Sequence, residues 1–274
     1  MDKFQQRISK KSRNLQPIFI NPKLTKLEPK SIVESKNHLF LRNNLYNTNP
    51  CLVHCPNIGN SLNKFPNLLF LQDFLDRPAV KIDSSQYTII FYNNKKNSIL
   101  QKSMQRWNFK NIIHLGQDQI WENFMQRIKL LIQSFSKIKT EFFFFLDAFD
   151  VVICNDLTQA IKSLTSKKCD ALYNAETAQY PIDFCTKSFE RSIIKENPQC
   201  FLNAGVSVWK TKFFKEIMSE FLETSIDNDQ CVIKLLYQKY FPRIQIDSNS
   251  ESFQVISPPN WGIYMRPYLE ILKC

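Results

Sequence analysis

The run of four phenylalanines from Phe142 to Phe145 constrains the fold of this chain more than any other feature. It lies in the segment Glu141-Phe-Phe-Phe-Phe-Leu146, which is followed directly by an aspartate. Side chains alternate between the two faces of a strand, and a strand made of this segment is therefore apolar on both faces. Such strands lie in the middle of a sheet that is covered by helices. The run predicts a central strand of an α/β fold.

Strand and helix patterns alternate on both sides of that segment. Short runs rich in β-forming residues predict strands, and apolar residues at helical spacing predict helices between them. The other predicted strands are Tyr87–Tyr92, Asn111–Leu115, Asp170–Asn174, Leu202–Trp209, Ile244–Ile246 and Ser252–Ile256; the predicted helices are Ser98–Trp107, Ile120–Lys137, Asp156–Lys167, Thr211–Leu222 and Asp229–Tyr240. This alternation predicts an α/β sheet with helices on its faces and ligands at the carboxyl ends of its strands.

The chain before Tyr87 is less regular. Residues 1–36 are polar and contain many lysines and arginines, and we expect a basic, flexible N-terminal arm there. The local patterns that follow predict two short strands that pair with each other, at His38–Arg42 and Cys51–Cys55. They also predict a helix at Leu62–Leu75 and a connector at Arg77–Ser85. The predicted organisation is an arm, an N-terminal segment and a core, at residues 1–36, 37–86 and 87–274.

Composition limits the ligands that the chain can bind. The 274 residues fit one large α/β domain, or one domain with a small appendage, and the four glycines form neither a G-x-G-x-x-G nor a Walker A sequence. A nucleotide site would therefore use other devices. The net charge of +11 favours an anionic partner such as nucleic acid, an acidic membrane or a nucleotide, or else it is a solubilising surface. Nucleic acid is the less favoured partner because the basic residues do not interleave with aromatics in one recognisable module.

Cysteine usage and hydropathy bear on the compartment. The sequence has no visible secretory signal and no run of about 18 apolar residues, which predicts a cytoplasmic protein without a transmembrane segment. The eight cysteines are scattered, as is typical of reduced thiols. Cys51, His54 and Cys55 lie together, but a zinc site normally has four ligands at paired spacings, and no second pair is obvious.

Two carboxylates follow the phenylalanine run, in Phe145-Leu-Asp147-Ala-Phe-Asp150. A buried charge is costly unless it is paired or bound to a metal. Strand ends in α/β sheets are also where a metal and a diphosphate would be held. Asp147 and Asp150 are therefore candidate metal ligands. The alternative for an isolated D-x-x-D is that Asp150 begins a loop or caps the next helix.

Several short motifs occur in a fixed order along the core. They are Tyr87-Thr-Ile-Ile-Phe-Tyr-Asn-Asn94, Leu115-Gly-Gln-Asp-Gln-Ile-Trp121, Leu146-Asp-Ala-Phe-Asp-Val-Val-Ile153, Ala171-Leu-Tyr-Asn-Ala-Glu176, Phe201-Leu-Asn-Ala-Gly-Val206, Asp227-Asn-Asp-Gln230 and Ser252-Phe-Gln254. In this order they resemble the glycosyltransferase domain of the procollagen lysyl hydroxylases and the related collagen glycosyltransferases. The resemblance implies a GT-A-type fold, in which a mixed, mainly parallel sheet is flanked by helices on both faces. It also implies retaining transfer of glucose or galactose from a UDP-sugar to a hydroxyl acceptor, dependent on Mn²⁺ or another divalent cation.

The resemblance implies roles for individual residues at the metal and the base. Asp147 and Asp150 would hold the ion through hard oxygen ligands. Asn93 would touch the nucleotide base, since an amide can read a pyrimidine edge. Trp121 would stack on the base or, alternatively, pack in the core.

Further roles concern the diphosphate and the sugar. Lys129 or Arg127 could face the diphosphate, or lie on a solvated helix face. The segment around Asn203 and Gly205 would place backbone beside the sugar, where a side chain cannot fit. Asp229 would face the anomeric carbon or the acceptor, or cap the helix that it opens. In retaining transfer the leaving phosphate can take the acceptor's proton, which agrees with the presence of only three histidines.

One further match is out of order. In the family, a strand with a metal-binding histidine follows the Ile-Phe-Gln motif, whereas this sequence carries a similar piece, Leu52-Val-His54-Cys-Pro-Asn57-Ile-Gly59, near its start. We therefore predict a circular permutation, with His54 as a third metal ligand and with Asn57 and Gly59 near the diphosphate. The alternative for His54 is an ordinary half-buried histidine.

Other functions remain open from the sequence. The chain could be an inactive relative that binds a nucleotide without turnover, a nucleotidyltransferase with the same sheet and metal carboxylates, or a basic nucleic-acid-binding protein. The hydroxyl acceptor could be a glycan, a protein or a small molecule.

Overall fold

The computed structural model describes residues 39–43, 46–56, 71, 75, 82–95, 97–182, 184–195, 197–256 and 269–273. In this part the chain forms an α/β structure in which strands and helices alternate. The strands are β1 (Leu39–Asn43), β2 (Leu52–His54), β3 (Tyr87–Tyr92), β4 (Ile112–Leu115), β5 (Phe142–Asp147), β6 (Val151–Ile153), β7 (Ala171–Glu176), β8 (Phe201–Lys210), β9 (Ile244–Asp247), β10 (Phe253–Val255) and β11 (Leu269–Lys273). The helices are α1 (Ile99–Trp107), α2 (Met125–Ser134), α3 (Thr158–Ser166), α4 (Lys187–Ile193), α5 (Thr211–Ile217) and α6 (Asp229–Tyr240), with 3-10 turns at Phe135–Lys137 and Met218–Phe221.

The largest sheet has six strands in the order β4-β3-β5-β8-β7-β9. β3 is parallel to both β4 and β5, β8 runs antiparallel to β5 and β7, and β9 is parallel to β7. The phenylalanine strand β5 therefore lies inside the sheet, as its sequence predicts. The register pairs Tyr92 at the end of β3 with Asp147 at the end of β5, and these two side chains mark the edge where a ligand would bind.

Two hydrophobic cores cover the two faces of this sheet. Phe143 and Phe145 face a core that α2, α5 and α6 complete, whereas Phe142, Phe144 and Leu146 face a core shared with α1 and α3. The mixed sheet flanked by helices on both faces agrees with the predicted α/β class.

A second, three-stranded sheet in the order β10-β2-β6 carries the N-terminal strand β2 next to the end of β5. β2 runs parallel to β10 and antiparallel to β6, and its register pairs His54 with Val151. The prediction that the segments around β1 and β2 pair with each other is wrong, because β1 pairs with β11 instead. Their true partners are distant in sequence, and no local pattern indicates them.

The helix predicted to end at Leu222 ends at Ile217, and a 3-10 turn follows it. Two other helices start two or more residues later than predicted, for local reasons. The helix predicted from Ile120 starts at Met125, because the Gln126 side chain accepts from the backbone N–H of Glu122 and donates to the carbonyl of Ile120, which holds that stretch as a loop. The helix predicted from Asp156 starts at Thr158, whose N–H donates to the Asp156 carboxylate. Helix α4 was not predicted.

Some predictions fall outside the described residues. They are the basic arm at residues 1–36, most of the helix predicted at 62–75, and the two candidate residues Asn57 and Gly59. Within the described part, no helix is both long and apolar enough to cross a bilayer.

Candidate functional site

A cleft of about 870 Å³ opens at the carboxyl ends of β3 and β5. Its wall includes Tyr92 from the end of β3, Asp147 from the end of β5, and Asp150 from the turn that leads into β6. His54, at the end of β2, also lines it. A volume of this size fits a cofactor-sized or nucleotide-sized ligand.

His54, Asp147 and Asp150 come together in the wall of the cleft. His54 Nε2 lies 3.8 Å from Asp147 Oδ2 and 3.4 Å from Asp150 Oδ1, and one ligand atom from each residue lies within 4.8 Å of the other two. The backbone fixes this arrangement, because the N–H of Cys55, next to His54, donates to the carbonyl of Asp150 at 2.8 Å. Three side chains from two distant parts of the sequence therefore converge on one point.

The second nitrogen of His54 is held by Asn174 on β7. When the Asn174 amide nitrogen donates to the carbonyls of Asn203 and Val206, its oxygen accepts from Nδ1 of His54 at 2.9 Å. That bond keeps the proton on Nδ1 and leaves the lone pair of Nε2 facing the two aspartates. Fixing the free nitrogen in this way is typical of a metal-binding histidine.

Two further observations fit a cation at this point. Asp150 Oδ1 is buried, and no hydrogen-bond donor reaches it among the described residues. A Cβ at Gly205 on β8 would lie 2.2 Å from Cε1 of His54 and 2.8 Å from Oδ2 of Asp147, and only glycine therefore leaves this space open. One imidazole and two carboxylates form a ligand set that suits a divalent metal such as Mn²⁺. A cluster of one buried histidine and two partly buried aspartates that could bind a metal ion is thus present.

The electrostatics of this cluster favour a bound cation. Burial by itself would lower the pKa of His54, but the neighbouring Asp150 and Asp147 carboxylates raise it above the ordinary value. Burial raises the pKa of Asp147, Arg127 lowers it, and the charge of Asp150 raises it again. Buried like charges repel each other, and a divalent ion between them would relieve that cost.

Arg127 on α2, rather than Lys129, is the basic residue of the cleft. Its guanidinium is buried, forms ion pairs with Asp147 and Asp229, and lies over the ring of Phe145 at 5.2 Å. Lys129 is exposed and does not line the cleft, because a residue two positions further along a helix points to the opposite side. The sequence held a signal for Arg127, which lies one helical turn before the buried Leu131.

One end of the cleft is aromatic. Trp121 lines it, remains 40% exposed, and makes edge contacts with Tyr92 and Phe124 at centroid distances of 5.2 and 5.3 Å. A ring this exposed is not packed within the core, which was the alternative to base stacking for Trp121. Asn93 does not line the cleft: it is fully buried, and its amide bonds to Gln101 and to the backbone of Lys95. The next residue, Asn94, lines the cleft instead.

The other end of the cleft is polar. Glu176, at the end of β7, accepts from the amides of Asn203 at 3.1 Å and Gln230 at 3.2 Å. Asp229 lies beside them and pairs with Arg127. Asp229 is not the cap of its helix, because Asn228 occupies that position and accepts from the N–H of Cys231.

Glu176 is a cleft residue that the sequence reasoning did not select. Burial raises the pKa of its carboxyl group, although the amide of Asn203 lowers it in part. The signal was available, because Glu176 ends a wholly buried strand in the same way as Asp147.

The structure does not form a zinc site from Cys51, His54 and Cys55. Within the described residues, the group that could hold a metal ion contains His54 and the two aspartates but no thiol. Cys51 belongs to the core of apolar side chains. Burial raises the pKa of the Cys51 and Cys55 thiols well above the ordinary value. The other described histidine, His114, stacks on Phe91 and does not line the cleft.

Comparisons with known proteins give no family. The chain matches no protein-family model, and no curated protein matches it. Among solved structures, it is similar to 4-diphosphocytidyl-2C-methyl-D-erythritolsynthase from Anaerococcus prevotii, with a TM-score of 0.33 and 9% sequence identity over 66% of this chain and 92% of that one. A likeness of this degree carries no conclusion about activity.

Proposed function

We propose that the chain is a metal-dependent, retaining glycosyltransferase of the GT-A type that moves glucose or galactose from a UDP-sugar to a hydroxyl acceptor. The observation that carries the proposal is the position of His54. This residue is far from Asp147 and Asp150 in the sequence, yet its Nε2 lies within 4 Å of a carboxylate oxygen of each. A chance resemblance at the N-terminus would give no reason for that convergence.

The permutation is proposed on the same ground. β2 lies beside β10 and parallel to it, so the histidine strand neighbours the Ser252-Phe-Gln254 motif in space. In the related glycosyltransferases the histidine strand follows that motif along the chain. We propose a core at residues 87–274 that is completed by the histidine strand of segment 37–86, with residues 1–36 as a basic N-terminal arm.

Roles along the cleft follow the order of its side chains. Trp121 and Asn94, which both line the cleft, would hold the uracil base. His54, Asp147 and Asp150 would hold Mn²⁺, which when bound neutralises charge on the leaving diphosphate. Arg127 would supply a fixed positive charge to the same diphosphate.

At the polar end, Glu176, Asn203 and Asp229 would surround the hexose and the attacking hydroxyl. Among the described residues, His54 is the one histidine of the cleft, and it faces the metal position. The proton of the acceptor is therefore better assigned to the leaving phosphate, as in retaining transfer, than to a histidine base.

Calorimetric titration of UDP and GDP, each with and without Mn²⁺, tests the proposal. We expect UDP to bind in the presence of Mn²⁺, more tightly than GDP, and UDP-glucose or UDP-galactose to release UDP slowly in the presence of Mn²⁺. Asp150→Asn should lose the metal-dependent binding and keep its fold, because it removes the charge of the side chain without changing its size. Asp156→Asn, a change outside the cleft, is the matched control and should bind as the wild type does.

Different results would favour other functions. Tighter binding of GDP with Mn²⁺ would show that the base site is misassigned. Release of pyrophosphate from a nucleoside triphosphate, without UDP release from a UDP-sugar, would favour a nucleotidyltransferase. Binding of UDP without turnover would favour an inactive relative, and strong salt-dependent binding of DNA or RNA without sugar-nucleotide hydrolysis would favour a nucleic-acid-binding protein.

A further inference from the structure

The cleft wall contains a second basic residue, Lys95, on the loop that follows β3. Lys95 is exposed, and its Nζ lies 5.7 Å from the centroid of the Phe149 ring. Phe149 also lines the cleft, and it comes directly before the candidate metal ligand Asp150 in the sequence. The Lys95 ammonium group therefore lies next to the turn that carries the candidate metal ligands.

Hydrogen bonds hold the backbone of this loop in place. The N–H of Lys95 donates to the side-chain oxygen of Asn93 at 2.8 Å, and the amide nitrogen of Asn93 donates to Gln101 on α1. The backbone N–H of Asn93 donates in turn to the carbonyl of Leu115 at the end of β4. The buried Asn93 therefore positions the residue that brings the positive charge to the cleft.

The ammonium group of Lys95 is more available to a ligand than the guanidinium of Arg127. Arg127 already forms ion pairs with Asp147 and Asp229. Within the part of the chain that the structure describes, no carboxylate pairs with Lys95, which rests on an aromatic ring instead. A lysine ammonium has three N–H donors, and contact with the face of a ring does not use them all. Lys95 can therefore bind an anion without giving up an ion pair of this kind.

The charge of the cleft wall favours a second cation there. Four carboxyl groups line the cleft: Asp147, Asp150, Glu176 and Asp229. When ionised, they outnumber the three positive charges that Arg127 and a divalent ion would supply together. A diphosphate would then face a wall with excess negative charge, and Lys95 brings that wall to neutrality.

We propose that the ammonium group of Lys95 binds the diphosphate of the nucleotide-sugar donor directly, beside the metal ion. A lysine ammonium suits this role because it binds phosphate as a compact point charge. The inference rests on the proposed function, because it takes the ligand to be a UDP-sugar. It adds a residue that contacts the leaving group and whose charge is not already committed to the protein's own carboxylates.

Calorimetric titration of UDP in the presence of Mn²⁺, and of Mn²⁺ alone, tests the inference on the wild type, Lys95→Met and Lys95→Arg. Lys95→Met should bind UDP roughly five- to twentyfold more weakly, because one charge-assisted contact is lost. Lys95→Arg keeps the charge and should recover most of that loss. Lys95→Met should bind Mn²⁺ alone at least as tightly as the wild type, since a neighbouring positive charge is removed. The matched control is Lys162→Met, which replaces an exposed lysine on α3 outside the cleft and should bind UDP as the wild type does.

The dependence of the UDP affinity on ionic strength separates a direct charge contact from an indirect effect on the loop. As NaCl is raised, the affinity of the wild type should fall more steeply than that of Lys95→Met, because salt screens the contact that the variant lacks.

Several outcomes would overturn the inference and leave the proposed function standing. They are unchanged UDP affinity in Lys95→Met, an equal loss in Lys162→Met, a loss that Lys95→Arg does not reduce, weaker binding of Mn²⁺ alone by Lys95→Met, and the same salt dependence in Lys95→Met as in the wild type. Failure of the wild type to bind UDP in the presence of Mn²⁺ would overturn both.

Discussion

Replacing Gly205 by alanine should abolish metal-dependent nucleotide binding in a chain that still folds. The added Cβ would lie 2.2 Å from Cε1 and 2.7 Å from Nε2 of His54, and 2.8 Å from Oδ2 of Asp147. Real Cβ atoms essentially never make contacts under 3.0 Å, so the imidazole and the new Cβ must separate by at least 0.8 Å, which is 3.0 minus 2.2. Metal–ligand distances tolerate deviations of only about 0.2 Å.

The imidazole cannot make this retreat without cost. β2 is held between β6 and β10, and Asn174 holds the ring from the other side. Overfilling a packed site of this kind typically costs about 1–3 kcal/mol of unfolding free energy. We therefore expect Gly205→Ala to be moderately less stable than the wild type in the absence of metal and to lose its Mn²⁺-dependent affinity for UDP.

Urea denaturation measures the first effect and calorimetry the second. Val206→Ala is the matched control: it opens a cavity at the next, fully buried position, and it should cost about 2 kcal/mol while keeping the affinity for Mn²⁺ and UDP. Adding His54→Ala to Gly205→Ala should recover part of the lost stability but no metal binding. Wild-type affinities in Gly205→Ala would refute the reasoning, because His54 and Asp147 could then not hold an ion in the geometry described.

Three other changes test separate parts of the structure. Lys234→Met should lower the unfolding free energy by about 3–5 kcal/mol, because it leaves the fully buried Glu190 carboxylate without its cation. In the double variant Lys234→Met/Glu190→Gln, urea denaturation should show that part of the lost stability returns. The pKa of Glu176 is raised in the folded chain, so this residue contributes stability below pH 4.5 that is lost as the pH rises through the folded-state pKa. The unfolding free energy of the wild type minus that of Glu176→Gln should therefore fall from pH 4.5 towards neutrality. A difference that stays constant with pH would contradict the raised pKa. Trp121→Ala should weaken UDP binding by about 1–3 kcal/mol, with little change in stability because its ring is partly exposed, and unchanged affinity would remove the base-stacking role.

The layered fold could be predicted from the sequence because its signals are local. Tyr87–Tyr92 and Asp229–Tyr240 have the predicted bounds, and the apolar strand that ends at Asp147 lies inside the sheet. What local patterns could not predict was the pairing of strands from distant segments. The pairing of β1 with β11 depends on two stretches at opposite ends of the chain, and neither carries a pattern that names the other.

In the candidate site too, some residues could be predicted from local sequence patterns and others could not. Asp147 and Asp150 were visible as acids at the end of a buried strand, and His54 was found only through the order of the motifs. Arg127 was passed over for Lys129 because the phase of helix α2 relative to the cleft was not worked out, although buried residues one turn away fix it.

Anomalous diffraction from crystals grown with Mn²⁺ and UDP tests the central claim most directly. The account predicts one strong manganese peak in the cleft, at about 2.0–2.3 Å from Nε2 of His54 and from carboxylate oxygens of both Asp147 and Asp150. UDP density should extend from that peak towards Trp121. A manganese peak away from these three side chains, or UDP bound in the cleft without any manganese peak, would contradict the account.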